Sequence, residues 1–215
     1  MRTRSKLLSA ALTAACLIAV AAGAAGAGRL SLSEQRFRIT WTEFEMSGFT
    51  AAVRCDVTLE GSYHYRVLQK TPEALVGYVT GATVRRPCLG GEAWAFNGIE
   101  RQGTTTLANS LPWHVRYESF SGSLPNITAV GQRLIGARFL VEAEFLGVRL
   151  RCNYTTSTTE PGRIPVLREV NTRALTEVQL GGEIRSDTGG CPRGRLARNA
   201  AIETPGGAAI TVTLI

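Results

Sequence analysis

The chain reads as an all-β protein, an antiparallel β-sandwich or a partly closed barrel. Three observations predict this. Apolar and polar residues alternate through about ten short segments, turn-forming Gly, Pro, Asn and Ser separate those segments, and helix-spaced apolar patterns are almost absent from the 215 residues. Four cysteines outside the leader add a framework of covalent staples to such a fold.

The leader comes first. Arg2, Arg4 and Lys6 precede an apolar run from Leu7 to about Ala25, and Ala25-Gly26-Ala27 offers the small residues of a signal-peptidase site. Residues 1–27 are therefore expected to be a cleaved signal peptide, and residues 28–215 a single all-β domain that is secreted or placed in the cell envelope. The run is too rich in Ala and Gly to favour a membrane anchor, and Thr13-Ala14-Ala15 before Cys16 does not make a lipoprotein signal. No second stretch is long and apolar enough to span a membrane, so no span is expected after cleavage.

The full chain carries 24 Lys and Arg against 17 Asp and Glu, a net charge of +7. Three of those cations leave with the leader, and the rest of the chain stays mildly basic. Lys70 is its lone lysine. Arg85-Arg86, Arg149 with Arg151, and Arg193 with Arg195 and Arg198 spread over several strands, which reads as the wet side of a sheet more than as a nucleic-acid surface. A cell-envelope glycan or another anionic polymer remains the partner this charge would suit; no nucleic acid is expected.

Taken in order, RFRITWTEFEM (Arg36 to Met46) points Phe37, Ile39 and Trp41 to one side and changes phase near Phe44, a strand with a bulge. After Ser47-Gly48, Val53, Cys55, Val57 and Leu59 face inward while Arg54, Asp56, Thr58 and Glu60 face outward. Gly61-Ser62 is read as a turn leading into YHYRVL. The segment from Ala74 to Cys88 is β-branched and broken by Gly, and Asn97-Gly98 after EAWAF is a strong turn signal. Leu111 to Thr128, LPWHVRYESFSGSLPNIT, alternates between two Pro punctuators, with Trp113, Val115 and Tyr117 on one face and His114, Arg116, Glu118 and Phe120 on the other. In the second half, Ile135, Ala137, Phe139, Val141, Ala143 and Phe145 share a face, as do Val148, Leu150, Cys152 and Tyr154. One helix is predicted, over Asn171 to Gln179, where Thr172 would cap and Ala174, Leu175 and Val178 share a face. Ile210, Val212 and Leu214 mark a closing strand.

These segments suggest an internal duplication, about residues 36–98 and 133–215. Arg54-Cys55 meets Arg151-Cys152, each after a Gly-containing turn, and Ala74-Leu75, Gly81 and Val84 recur at a constant offset as Ala174-Leu175, Gly181 and Ile184. Cys88 then corresponds to Cys191. A duplicated unit predicts disulfides within each copy, Cys55 to Cys88 and Cys152 to Cys191, each closing a loop of about 30 to 40 residues for roughly 3 to 4 kcal/mol. No Cys-x-x-Cys spacing supports a zinc site.

Catalytic chemistry finds few groups. Beyond the leader there are two His (His64, His114) and two Asp (Asp56, Asp187), with no G-x-S-x-G elbow, H-E-x-x-H pair or Asp-rich calcium loop. No catalytic residue, metal ligand or cofactor is assigned. His64 reads as an exposed strand residue. The pairs Glu43 with Glu45 and Glu142 with Glu144 match glycosidase carboxylates only in type. The distinctive candidate is the row His114, Arg116 and Glu118, spaced about 7 Å apart along one strand face, with Trp113 or Trp94 as a nearby stacking ring for a sugar. Its simplest rival is the outer side of an ordinary strand.

The strings LPWHVRYESFSGSLPNIT, VRCDVTLEGSYH and GYVTGATVRRPC resemble a group of exported, β-rich actinobacterial proteins of unknown function, over the chain from about Ser33 onward. That resemblance implies a secreted β protein and carries no catalytic residue across. The expectation is thus a non-catalytic binding or structural protein of the envelope, with a secreted hydrolase acting on polysaccharide or peptide as the alternative.

Overall fold

A computed structural model describes residues 29–48, 52–123, 126–156, 164–171 and 174–215. The expected signal peptide and the Leu124-Pro125 punctuator lie outside these residues. Every regular element described is a strand. The first part of the chain supplies β1 (Leu30–Leu32), β2 (Arg36–Ser47), β3 (Val53–Tyr63), β4 (Val67–Leu68), β5 (Leu75–Leu89) and β6 (Gly91–Ala95), then a two-residue hairpin of β7 (Arg101–Gln102) and β8 (Thr105–Thr106). The middle supplies β9 (Trp113–Ser123), β10 (Asn126–Ile135), β11 (Arg138–Phe145) and β12 (Val148–Thr155). The last part supplies β13 (Ile164–Asn171), β14 (Ala174–Ser186), β15 (Gly194–Glu203) and β16 (Ile210–Leu214).

Strands β2, β3, β5, β9, β10, β13, β14 and β15 pair antiparallel in chain order, and β15 returns to β2. The sheet therefore curls into a barrel, the second of the two predicted architectures. Closure is partial. At one end the wall continues from the tail of β14 through β12 and β11 to β6, and the hydrogen-bonded path stops there. At the other end β1 joins β16 to β4 as a short sheet, with Leu30, Leu32, Leu68, Ile210 and Val212 buried beneath it. β10 pairs with β13 and β11 with β12, and at the bend between β10 and β11 the Thr156 hydroxyl accepts the Ala137 N–H.

The alternation read from the sequence fills this barrel. Phe37, Trp41, Phe44, Tyr63, Trp113, Tyr117, Phe139 and Tyr154 are all buried in one core, and Phe139 meets Phe44 and Trp113 at ring-centroid distances of 6.5 and 5.3 Å. Arg54, Asp56, Thr58 and Glu60 lie outside. An apolar interior within a polar wall is the reverse of a transmembrane barrel. No helix among the described residues is long and apolar enough to cross a membrane.

Bulges account for the phase changes. The break near Phe44 is a bulge in which β2 gains one residue on β3 between Trp41 and Phe44, with Glu43 at φ 54°. The expected helix is a strand for the same reason. On β14, Leu175 stands opposite Val170 and Glu177 opposite Glu169, so one extra residue lets Leu175 and Val178, three apart, both face the core. A strand with a bulge imitates a helical spacing there. Gly61 and Ser62 also differ from expectation: they lie within β3 and not in a turn. Val148 is 57% exposed, because the Leu146-Gly147 turn carries the tip of the β11-β12 hairpin beyond the core, and Phe145 and Leu150 are only partly buried.

Both disulfides join the partners that the repeat predicts, Cys55 to Cys88 and Cys152 to Cys191. The first ties β3 to the end of β5; the second ties β12 to the segment between β14 and β15. Two disulfides in a chain of this size accord with folding in an oxidising, extracytoplasmic compartment.

Candidate binding face on the barrel wall

The predicted row divides by burial. Trp113 is 0% exposed and its indole N–H donates to Ser110 Oγ at 2.9 Å, so its ring belongs to the core and offers no face to a sugar. Trp94, the other ring considered near the row, is 5% exposed and lies under the Arg86 guanidinium. His114, Arg116 and Glu118 remain on the outer wall, each half-buried.

Strand pairing adds residues that the sequence left unremarked. His114 stands directly opposite Tyr78 on β5, and Tyr78 opposite Ser62 on β3. The Tyr78 ring meets His114 edge-on at 5.2 Å and His64 at 4.7 Å, and His64 in turn contacts the Tyr65 ring at 6.4 Å. His114, Tyr78, His64 and Tyr65 thus form a continuous run of rings across β9 and β5 and into the loop beyond β3. Tyr65 is 68% exposed. The spacing of His64 and Tyr65 after β3 is ordinary; their junction with β9 is set by the pairing of β5 with β9, which joins residues such as Tyr78 and His114 that are distant in the chain.

An ion-pair network borders this run. Arg133 on β10 donates to Glu118 Oε1 and Glu73 Oε1, both at 2.6 Å, and Arg116 lies 3.6 Å from the other Glu73 oxygen. Arg116 and Glu118 are therefore engaged with protein partners. They hold the segment around Glu73 against β9, where the Glu73 N–H also donates to the Tyr117 carbonyl. Four charges, Arg116, Glu73, Arg133 and Glu118, that compensate one another in a chain are better at fixing shape than at meeting a ligand.

Beyond Tyr65 the wall opens into a cleft of about 770 Å³ lined by Arg29, Tyr65, Arg66, Gln69, Lys70 and Thr71 among others. Nothing in the sequence signalled it, because Arg29 and residues 65–71 meet only through the β1-β4 pairing. The Lys70 ammonium stands 4.5 Å over the Phe120 ring of β9.

Groups for acid-base work are kept apart. The Asp56 carboxylate accepts the Glu43 N–H at 3.0 Å, and Asp187 faces Arg138 at 3.8 Å. Asp56 lies eight residues from His64 along an extended strand, on the order of 25 Å. Glu142 is held by Arg149 and Arg151 at 2.7 and 3.1 Å and Glu45 by Arg54 at 3.0 Å, so these carboxylates sit in cross-strand ion pairs. No group of three or more His, Cys, Asp or Glu positioned to hold a metal occurs among the described residues. No protein-family model, curated protein or solved structure matches the chain.

Proposed function

We propose that the protein is a bacterial, extracytoplasmic binding protein, secreted or held in the cell envelope, that grips a saccharide chain along the rings of His114, Tyr78, His64 and Tyr65 without catalysing a reaction. The observation that carries this reading is the run itself: four rings in successive contact at 5.2, 4.7 and 6.4 Å on the outer wall. A flat ring presented to water suits the apolar faces of a sugar, and imidazole and phenol edges supply hydrogen bonds to its hydroxyls.

The packed interior supports an outer site. Aromatic side chains from β2, β3, β9, β11 and β12 occupy the space in which a ligand-carrying barrel keeps its cavity. A hydrolase has less in its favour, because Asp56 and Asp187 are engaged with Glu43 and Arg138 and Asp56 lies far along its strand from His64.

A glycan screen that includes envelope polysaccharide fragments tests the proposal. One class of oligosaccharide is expected to bind, and Tyr78→Ala is expected to weaken it up to about tenfold, the value of one aromatic contact, at unchanged thermal stability. Absence of binding across the screen, or binding indifferent to Tyr78→Ala, overturns the reading.

A further inference from the structure

We infer that the cleft at the Tyr65 end of the ring run is an anion subsite, and that the saccharide bound there carries carboxylate or phosphate groups. The inference rests on the ring-run reading for the word saccharide and on the cleft alone for the word anionic. Three cationic side chains converge on one concavity. Arg29 comes from the residue before β1, Arg66 from the β3-β4 connection, and Lys70 from the segment after β4. The described lining contains no carboxylate. Near the cleft, Arg36 and Arg66 both help hold the Glu34 carboxyl below the ordinary value, after the backbone N–H groups of Arg36 and Gln35, so Arg66 is partly compensated, and the Ile215 terminus accepts the Arg29 N–H.

Elsewhere on the wall several arginines meet acids across the strands. Arg38 is 2.8 Å from Glu60, Arg54 3.0 Å from Glu45, Arg133 2.6 Å from Glu118, and Arg149 2.7 Å from Glu142. The cleft departs from that pattern, with cations gathered in a concave place. A concave, water-lined surface of one charge focuses potential and attracts the opposite charge. Lys70 is also positioned for the purpose, since the Phe120 ring below it leaves its ammonium directed by a cation-π contact and without an acid in the described lining.

The geometry joins the two features. Tyr65 ends the ring run and lines the cleft, so a chain laid along His114, Tyr78 and His64 is delivered into it. The rings would supply contact with the sugar faces, and the cleft would select chains that bear negative charge. Thr71 and Gln69 offer uncharged hydrogen-bonding groups beside the cations, suited to the hydroxyls of the same sugar unit.

The test uses three oligosaccharides of equal length: a neutral one, a uronic-acid one and one linked by phosphodiesters. Titration calorimetry at two salt concentrations is run on the wild-type protein and on Arg66→Ala, Lys70→Ala and Tyr78→Ala. At least one anionic chain is expected to bind about tenfold more tightly than the neutral chain, with the advantage shrinking at high salt. Arg66→Ala and Lys70→Ala are each expected to weaken binding of the anionic chain by about three- to fivefold more than binding of the neutral chain. Preference for the uronate or for the phosphodiester tells which anion the cleft takes. A second readout uses the amine: bound anionic chain should slow acetylation of Lys70 while Lys6, where retained, reacts as before. Equal binding of neutral and anionic chains, with loss on Tyr78→Ala, overturns the anion subsite and leaves the ring run standing. Anionic binding that is salt-sensitive, lost in Lys70→Ala and indifferent to Tyr78→Ala upholds the subsite and overturns the ring run. Binding of none of the three overturns both.

Discussion

The ring of Tyr78 meets the imidazole of His114 at 64° and 5.2 Å, directly across the four-pair ladder that joins β5 to β9. The backbone register places both rings, and the barrel does not depend on their packing. Tyr78→Ala and His114→Ala are therefore expected to change stability by about 0.5 kcal/mol or less. Trp113→Ala, one residue from His114 but on the opposite face of the strand and fully buried, is expected to cost about 3 to 5 kcal/mol. Chemical denaturation of the three variants checks this. A cost for His114→Ala near that of Trp113→Ala would place the imidazole in the core.

The two disulfides carry a separate prediction. Non-reducing peptide mapping should recover Cys55 joined to Cys88 and Cys152 joined to Cys191, as the sequence repeat and the structure both have them. Replacing Cys152 and Cys191 together by Ala is expected to cost about 2 to 5 kcal/mol, since the bond closes 39 residues of chain. Calorimetric melting of the double variant against the parent measures it. A melt unchanged by the substitution contradicts the role given to this bond.

Gly61 explains itself by what stands beside it. A methyl group there would meet the Tyr78 carbonyl oxygen and, at 2.6 Å, the Phe37 ring, where β3 shifts register on β5 between Glu60 and Gly61. Gly61→Ala is expected to destabilise by about 1 to 3 kcal/mol through overpacking. It should also weaken saccharide binding by displacing the strand that carries Tyr78. Intact stability in Gly61→Ala would show that the close approach is not needed.

Tyr154 gives a pH signature. Burial pushes its phenol from the ordinary 10.0 up to about 12, and its hydroxyl donates to the Pro192 carbonyl at 2.8 Å. The folded state favours the neutral phenol, so its contribution is whole below the unfolded value of 10.0 and is lost as pH rises toward about 12. The melting temperature should fall across that window, and Tyr154→Phe should flatten the fall while costing about 1 kcal/mol at neutral pH. An identical alkaline slope in Tyr154→Phe would remove Tyr154 as its source.

Much of the fold was legible because inward and outward residues alternate over β3, β9 and, on either side of its bulge, β2. Trp113, Val115 and Tyr117 were read as core and are core. The failures arise at a bulge, which breaks the periodicity, and at a hairpin tip, which periodicity does not locate. The extra residue on β14 moved Leu175 and Val178 onto one face and imitated a helix, while Val148 kept the right phase on a hairpin tip that leaves the core. For the site, the outward row at His114 was legible from alternation alone. Tyr78 and Tyr65 were not, because which strand lies beside β9, and which loop meets Arg29, is decided by register across the barrel and by the β1-β4 pairing. The lone lysine at position 70 was visible as a count; its place above Phe120 needed the fold.

The central claim is that the outer ring run is where ligand binds. The most direct measurement is a backbone-amide NMR titration of the protein with a saccharide selected by the screen. The largest shifts are expected at His64 to Arg66, at Tyr78 and at His114 to Arg116, with little change at the β11-β12 tip around Leu146. Shifts concentrated on that tip or on the outer faces of β12 and β15, with residues 64–66, 78 and 114–116 undisturbed, would contradict it.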